Sequence, residues 1–409
     1  MSETVQLQIE RLGHQGDGIA PGPVYAPRVL PGELVEGQRV GDRLMAPRIV
    51  RPSDARVTAP CRHYRSCGGC ALQHASDAFV ADWKCDVVRL ALQAQGIDTV
   101  FRDVITSAPQ TRRRAVIAAR RTKKGAMSGF YGRGSDVITD ISECQILIPA
   151  LRDAVPVAQD LAVLGASRKA PLAVTLIETE GGLDVSVAGG KPFEAGLRHA
   201  LAELAERHDL ARLSWAEEQV VMRRAPTQAF GGVRVAPPPG AFLQATRDGE
   251  AALLAAVEDI TAGAACIADL FCGSGTFTLP LARRATVHGV EAMPEMIAAL
   301  DQGWRHGTGL RQVTTEARDL FQRPLLGDEL APFDAVVIDP PRAGAVAQMQ
   351  AIAEARVPVV AAVSCNPVTF ARDARILTAA GYTLDWVQVV DQFRWSVHVE
   401  LAAGFRLSH

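Results

Sequence analysis

The chain is poor in aromatic side chains, with four Tyr and five Trp among 409 residues. Stacking platforms are therefore few, and any nucleic acid would be held by shape and backbone contacts more than by a base-by-base code. Net charge is lacking too: 43 Lys+Arg against 45 Asp+Glu leave a formal charge of −2. That excludes a whole-chain polycation coating nucleic acid nonspecifically, so a nucleic-acid site has to be a local patch. No apolar run approaches the roughly 20 residues that span a bilayer. The opening MSETVQLQIERLG has neither the basic region nor the apolar stretch of a signal peptide. No membrane association is expected, and the cytoplasm is the expected compartment. There the eight cysteines cannot serve as a disulfide frame and point to metal binding or catalysis.

What is present is ordinary globular material, 48% hydrophobic and 22% charged. The length carries a prior of about two to three domains. Residues 1–56 alternate polar and apolar positions between turn signals such as Pro31-Gly32 and Gly41-Asp42, which predicts a small β-barrel. Residues 57–236 hold a cysteine cluster, a predicted helix over 77–95, hairpins including one turning at Lys124-Gly125, and two Ala-rich helices near 148–164 and 193–207. This predicts an α+β middle domain. Over 237–409 the apolar runs CIADLF, TVHGVEA, FDAVVIDPP and VPVVAAVSC alternate with helical stretches. They predict buried parallel strands of a doubly wound α/β sheet.

Chemistry-bearing motifs fall at the ends of those runs. Asp269-Leu270-Phe271-Cys272-Gly273-Ser274-Gly275 lets backbone approach a ligand closely, and Glu291, 22 positions on, can accept hydrogen bonds from a ribose diol. Asp339-Pro340-Pro341-Arg342 places a carboxylate at a strand end behind a rigid lip. Cys365, in Ser364-Cys365-Asn366-Pro367, lies before a helix whose N-terminal amides are expected to lower its thiol pKa. Methylating oxygen or nitrogen has little need of a thiolate there. Methylating C5 of a pyrimidine does need one, because a soft nucleophile must first add at C6. That chemistry also needs a base, and alternation over Ser396-Val397-His398-Val399-Glu400 puts His398 and Glu400 on one face of a final strand. Cys61, Cys67 and Cys70 flank two glycines that permit a tight wrap around a metal centre, with Cys85 and Cys144 competing as fourth ligand. Arg112, Arg113, Arg114, Arg120, Arg121, Lys123 and Lys124 put seven basic residues in thirteen positions without an acid, the strongest local footprint for phosphate.

Asp-Pro-Pro-Arg, Ser-Cys-Asn-Pro and His-x-Glu, in this order, resemble the RNA uracil-C5 methyltransferases from about Pro239 to the end of the chain. The resemblance implies a class I methyltransferase domain, with Cys365 as nucleophile and Glu400 as proton-abstracting base. It implies S-adenosyl-L-methionine contacts at Gln244, Phe271, Glu291 and Asp339, although Thr246 and Thr276 stand where the family usually and often, respectively, has Asn. It matches Cys144 to a ligand of a [4Fe-4S] cluster with Cys61, Cys67 and Cys70, leaving Cys85, Cys266 and Cys272 structural. Leu30-Pro31-Gly32-Glu33 and Arg51 to Val57 are similar to the TRAM domain, an RNA-binding barrel. This combination points to the 23S rRNA branch, with tRNA as the alternative substrate, and to a monomer. The competing readings are an RNA N- or O-methyltransferase without a covalent step and a noncatalytic RNA-binding iron-sulfur protein.

Overall fold

A computed structural model describes residues 3–408. Strands Glu3–Gln8, Leu34–Val40, Arg43–Arg51, Val24–Pro27, Asp17–Ala20 and Arg11–Leu12 hydrogen-bond in that order as one six-stranded sheet. Their alternation buries Val24, Val35 and Leu44 inside it, where Ile9 and Val29 from the connecting segments join them. Glu33 is fully buried beside the sheet, where its carboxylate accepts from the Leu30 and Ser53 amides and pairs with Arg56. Burial pushes its pKa up, but the Arg56 hydrogen bond and the two amides outweigh this and hold it below the usual value. The Leu30–Glu33 and Arg56 motifs thus lock the barrel to the segment that follows.

The middle sheet has seven strands in the order Ile138–Thr139, Ala126–Tyr131, Arg114–Arg121, Leu172–Thr179, Gly182–Ala188, Arg212–Trp215 and Glu218–Met222. Strands Arg114–Arg121 and Ala126–Tyr131 form the expected hairpin, closed by Thr122 N–H donating to Gly125 O at 2.8 Å. The helix expected near 148–164 is two helices, Pro149–Asp153 and Val155–Gly165. Pro156 lacks the N–H needed to continue a helix from the preceding turn, but suits the first turn of a new one.

The third sheet has eight strands: Val313–Ala317, Thr286–Glu291, Cys266–Leu270, Ala335–Ile338, Val359–Ser364, Leu401–Leu407, Tyr382–Asp391 and Val100–Thr106. The four apolar runs are its parallel core, as expected. Leu401–Leu407 runs antiparallel to both neighbours. The strand order reverses between Cys266–Leu270 and Ala335–Ile338, so a crevice opens beyond their carboxyl ends.

Two expectations are corrected here. Val100–Thr106, placed by sequence in the middle domain, is the parallel edge strand of this third sheet, and helix Asp77–Gln93 packs on helix Pro367–Ala379. Residues 77–106 therefore belong spatially with the last unit. Ser396–Glu400 is not strand: the chain turns through Trp395 at φ 59°, and Trp395 O accepts the Ala71 and Leu72 amides, so it bonds a loop instead of a neighbouring strand. His398 is exposed while Glu400 is buried, and the two do not share a strand face.

Candidate active site

At the crevice the chain leaves strand Cys266–Leu270 through Phe271, whose φ of 62° is unfavourable for a bulky side chain. Gly273 follows at φ 56° with open space where a Cβ would stand. This turn presents main chain to the crevice. Glu291 holds it: one carboxylate oxygen accepts the Gly273 amide and the other the Met293 amide, both at 3.1 Å. Beneath it Asp269 is fully buried; one oxygen accepts from the Thr278 hydroxyl at 2.6 Å and the other has no partner. Burial, with Asp339 nearby, pushes Asp269 up to about 7 against the Thr278 bond.

Across the crevice Asp339 ends its strand and is likewise pushed up to about 7 by burial. Arg342 O accepts from the Asn366 side chain at 2.9 Å and from the Thr369 hydroxyl at 3.1 Å, tying the Pro-Pro lip to the start of helix Pro367–Ala379. Asn366 caps that helix by accepting the Val368 amide, and Pro367 takes the first helical position. Cys365, immediately before the cap, is half-buried. Its thiol is pushed up to about 11, first by burial and then by Glu400 and Asp339, while Arg342 opposes through charge and a hydrogen bond. The lowering expected from the helix terminus is thus overturned in the free protein, because burial and two carboxylates outweigh it.

Glu400 is raised well above the ordinary carboxylate range by burial and by Asp339. Its carboxylate accepts from Gln392 Nε2 at 3.1 Å, and the same nitrogen donates to Gln244 Oε1 at 2.5 Å. Sequence reading missed Gln392, since nothing about a lone glutamine marks it. Thr246 caps helix Arg247–Ile260 by accepting the Gly249 amide at 3.0 Å and bonds Ser107 at 2.7 Å. A Thr there performs the capping that an Asn would. The structure therefore gathers Cys365, Glu400, Asp339 and Gln244 together, with Phe271 on the adjoining turn and Glu291 at the end of the next strand holding that turn.

A separate cavity of about 240 Å³ is lined by Cys61, Cys67, Cys70 and Cys144, together with Arg112, Gln73 and Phe130. Gly68 is required there: a Cβ would stand 2.8 Å from Tyr131 O. Burial raises the Cys67, Cys70 and Cys144 thiols, Cys70 to about 12, and neighbouring cysteines raise each of them further. Cys85 lies instead in the core with Val88 and Leu92. Among the described residues no group of three His, Cys, Asp or Glu is arranged to hold a single metal ion. The donor set itself, four thiols around one cavity and no carboxylate lining it, suits a cluster that takes one thiolate at each of four irons.

The basic stretch divides. Arg113 is buried, paired with Glu250 at 2.6 Å and bonded to Gln244 O. Arg114 donates to Ala241 O and Gly240 O, and Arg112 to Arg114 O. These three make structural contacts, which corrects the expectation that the whole basic stretch is a footprint for phosphate; Lys123 and Lys124 are exposed. No helix among the described residues is long and apolar enough to cross a membrane.

The doubly wound sheet, with its ligand turn at the switch point, defines a class I methyltransferase fold. No family model matches the chain. It is 43% identical over 405 residues to an uncharacterised RNA methyltransferase of Brucella suis, covering 98% of each chain. It is 32% identical over 434 residues to the 23S rRNA (uracil(1939)-C(5))-methyltransferase RlmD of Shewanella amazonensis, covering 100% of this chain and 96% of that one. The tRNA (uracil-54, C5)-methyltransferase of Pyrococcus abyssi, solved with S-adenosyl-L-homocysteine, superposes with a TM-score of 0.74 at 23% identity, covering 98% of this chain and 99% of that one. The chain belongs to the RNA methyltransferase family that includes the uracil-C5 enzymes, and is an RNA methyltransferase.

Proposed function

We propose that the protein transfers a methyl group from S-adenosyl-L-methionine to C5 of a uridine in structured 23S rRNA, through a covalent bond between Cys365 and C6. The observation that carries this reading is the convergence of Cys365, Glu400 and Asp339, with the positive charge of Arg342 facing the thiol. An N- or O-methyltransferase needs neither a thiol nor a second buried carboxylate at this edge.

The residues present fit the methyl donor: the unpartnered oxygen of buried Asp269 and the open turn at Gly273 make a polar cradle beside Glu291. Gln244, Phe271, Glu291 and Asp339 would hold it, and when bound it supplies an electrophilic methyl group. On the RNA side the base leaves its stack to reach the thiol. The Cys365 thiolate pair forms the S–C6 bond, pushing the C5–C6 π pair towards C4–O4 and making C5 nucleophilic. Arg342 steadies the thiolate charge. Once C5 carries the methyl group, the Glu400 carboxylate takes the C5 proton, the C5–C6 double bond re-forms and the thiolate leaves.

The cysteine cavity would hold a [4Fe-4S] cluster on Cys61, Cys67, Cys70 and Cys144, and the barrel would act as a TRAM domain on the same RNA. Exposed Lys123 and Lys124 are suited to phosphate contacts. Relatives named as RNA methyltransferases over nearly the whole chain support RNA as the substrate. The test is trapping: RNA carrying 5-fluorouridine should form an adduct stable on a denaturing gel, since fluorine cannot leave C5 as a proton does. Turnover without an adduct would remove the covalent step. Mapping 5-methyluridine in 23S rRNA and tRNA of a deletion strain identifies the substrate.

A further inference from the structure

Gln392, Gln244 and Glu400 are each at most 3% exposed. Their hydrogen bonds form a chain with only one consistent polarity. The Ala245 amide can only donate, and it donates to Gln392 Oε1 at 2.7 Å. The carboxamide orientation of Gln392 is therefore fixed, with Nε2 at the opposite end. Nε2 has two hydrogens, and both are committed: one to Gln244 Oε1 and one to Glu400 Oε2. Gln244 must consequently turn its own Nε2 away from Gln392. Glu400 Oε2 already accepts from this donor, which leaves Oε1 the better placed of the two oxygens to take a proton.

We infer that Gln392 is a positioning residue: its one carboxamide selects Oε1 of Glu400 as the atom that takes the C5 proton, and turns the donor of Gln244 away from itself. This rests on the uracil-C5 reading above. The step balances as written there, with the C5–H pair re-forming the C5–C6 bond and the proton ending on Oε1. The charged and titratable groups that face Glu400 are Asp339, Arg342 and Cys365. Burial and Asp339 disfavour its charged form, whereas Gln392 and Arg342 favour it. Removing the Gln392 donor leaves less carboxylate at any given pH, so the acid limb of the rate moves upward.

The experiment is single-turnover release of free methylated RNA against pH, the step that follows proton abstraction, with the holoenzyme and a uridine-containing RNA, comparing wild type, Gln392→Met and Gln392→Glu. Losing one hydrogen bond to a charged group should move the acid limb of Gln392→Met up by about one pH unit, a tenfold loss on that limb. A covalent RNA species should accumulate below the limb and clear when the pH is raised. Gln392→Glu keeps an acceptor for Ala245 but sets a second carboxyl against Glu400, so its limb should move further. It also carries the test if the Met variant does not fold. A loss equal at every pH, or an unmoved limb in both variants, overturns the inference. If wild type fails to trap 5-fluorouridine RNA, the covalent reading fails instead; if it traps and the limbs do not move, only the role of Gln392 fails.

Discussion

Cys365 and Cys70 are both pushed upward by burial, to about 11 and about 12, yet they stand in different company. Cys365 is a single thiol with an arginine to receive its charge and a carboxylate facing it. Cys70 faces three further thiols, each of which pushes it higher, with Arg112 alongside the pocket. The first arrangement supports a thiolate that forms and departs within a turnover. The second cannot shed four protons together unless positive charge enters the cavity, which is what a bound metal centre does. The chemistry of a cysteine is thus legible in what surrounds it, even where the direction of its pKa is the same.

Substitutions can break this contrast. The largest effect is expected for Cys365→Ala, which should lower methyl transfer by about a thousandfold or more while leaving thermal stability and donor affinity near wild type. Turnover within tenfold of wild type would place the nucleophile elsewhere. Glu400→Gln should lower turnover by about 10²–10⁴ and leave an enzyme–RNA species on a denaturing gel, because the bond to C6 forms but C5 keeps its proton. Normal turnover without that species would assign the base to another group.

At the second site, Cys61→Ser, Cys67→Ser, Cys70→Ser and Cys144→Ser should each lose iron, sulfide and brown colour after anaerobic purification. Cys85→Ser should keep all three. Stoichiometric zinc without iron in the wild type would replace the cluster reading with a zinc site of four thiolates. The smallest effect is expected at the hairpin. Lys123→Ala with Lys124→Ala should flatten the salt dependence of RNA binding by up to about two units of slope. Arg113→Ala should leave that slope unchanged and lower the melting temperature, since it strips the half-buried Glu250 of its partner.

The difference between Arg113 and Lys123 also shows where sequence reading stops. Three consecutive arginines look like a solvated or phosphate-facing run, and only Glu250, 137 positions away, makes the middle one a core residue. The parallel strands were readable because burial on both faces leaves uninterrupted apolar runs. Val100–Thr106 was not, because an edge strand keeps mostly exposed positions and its partner lies far along the chain at Tyr382–Asp391. Cys365 and Asp339 sit in motifs whose residue types announce chemistry. Gln392 acquires meaning only from Gln244, 148 positions before it, and Glu400, eight positions after it.

Leu401–Leu407 lies between Val359–Ser364 and Tyr382–Asp391, not at a rim of its sheet. Both flanking strands leave the ribosome before it does. The sheet must therefore stay open at its middle until the chain through Leu407 is free, and long-range pairing of this kind is slow to form. Glu400 is drawn into place by the closing of that gap. Synthesis itself imposes an order: Cys365 is made 35 positions before Glu400, so the proposed pair exists only once the last gap in the sheet has been filled.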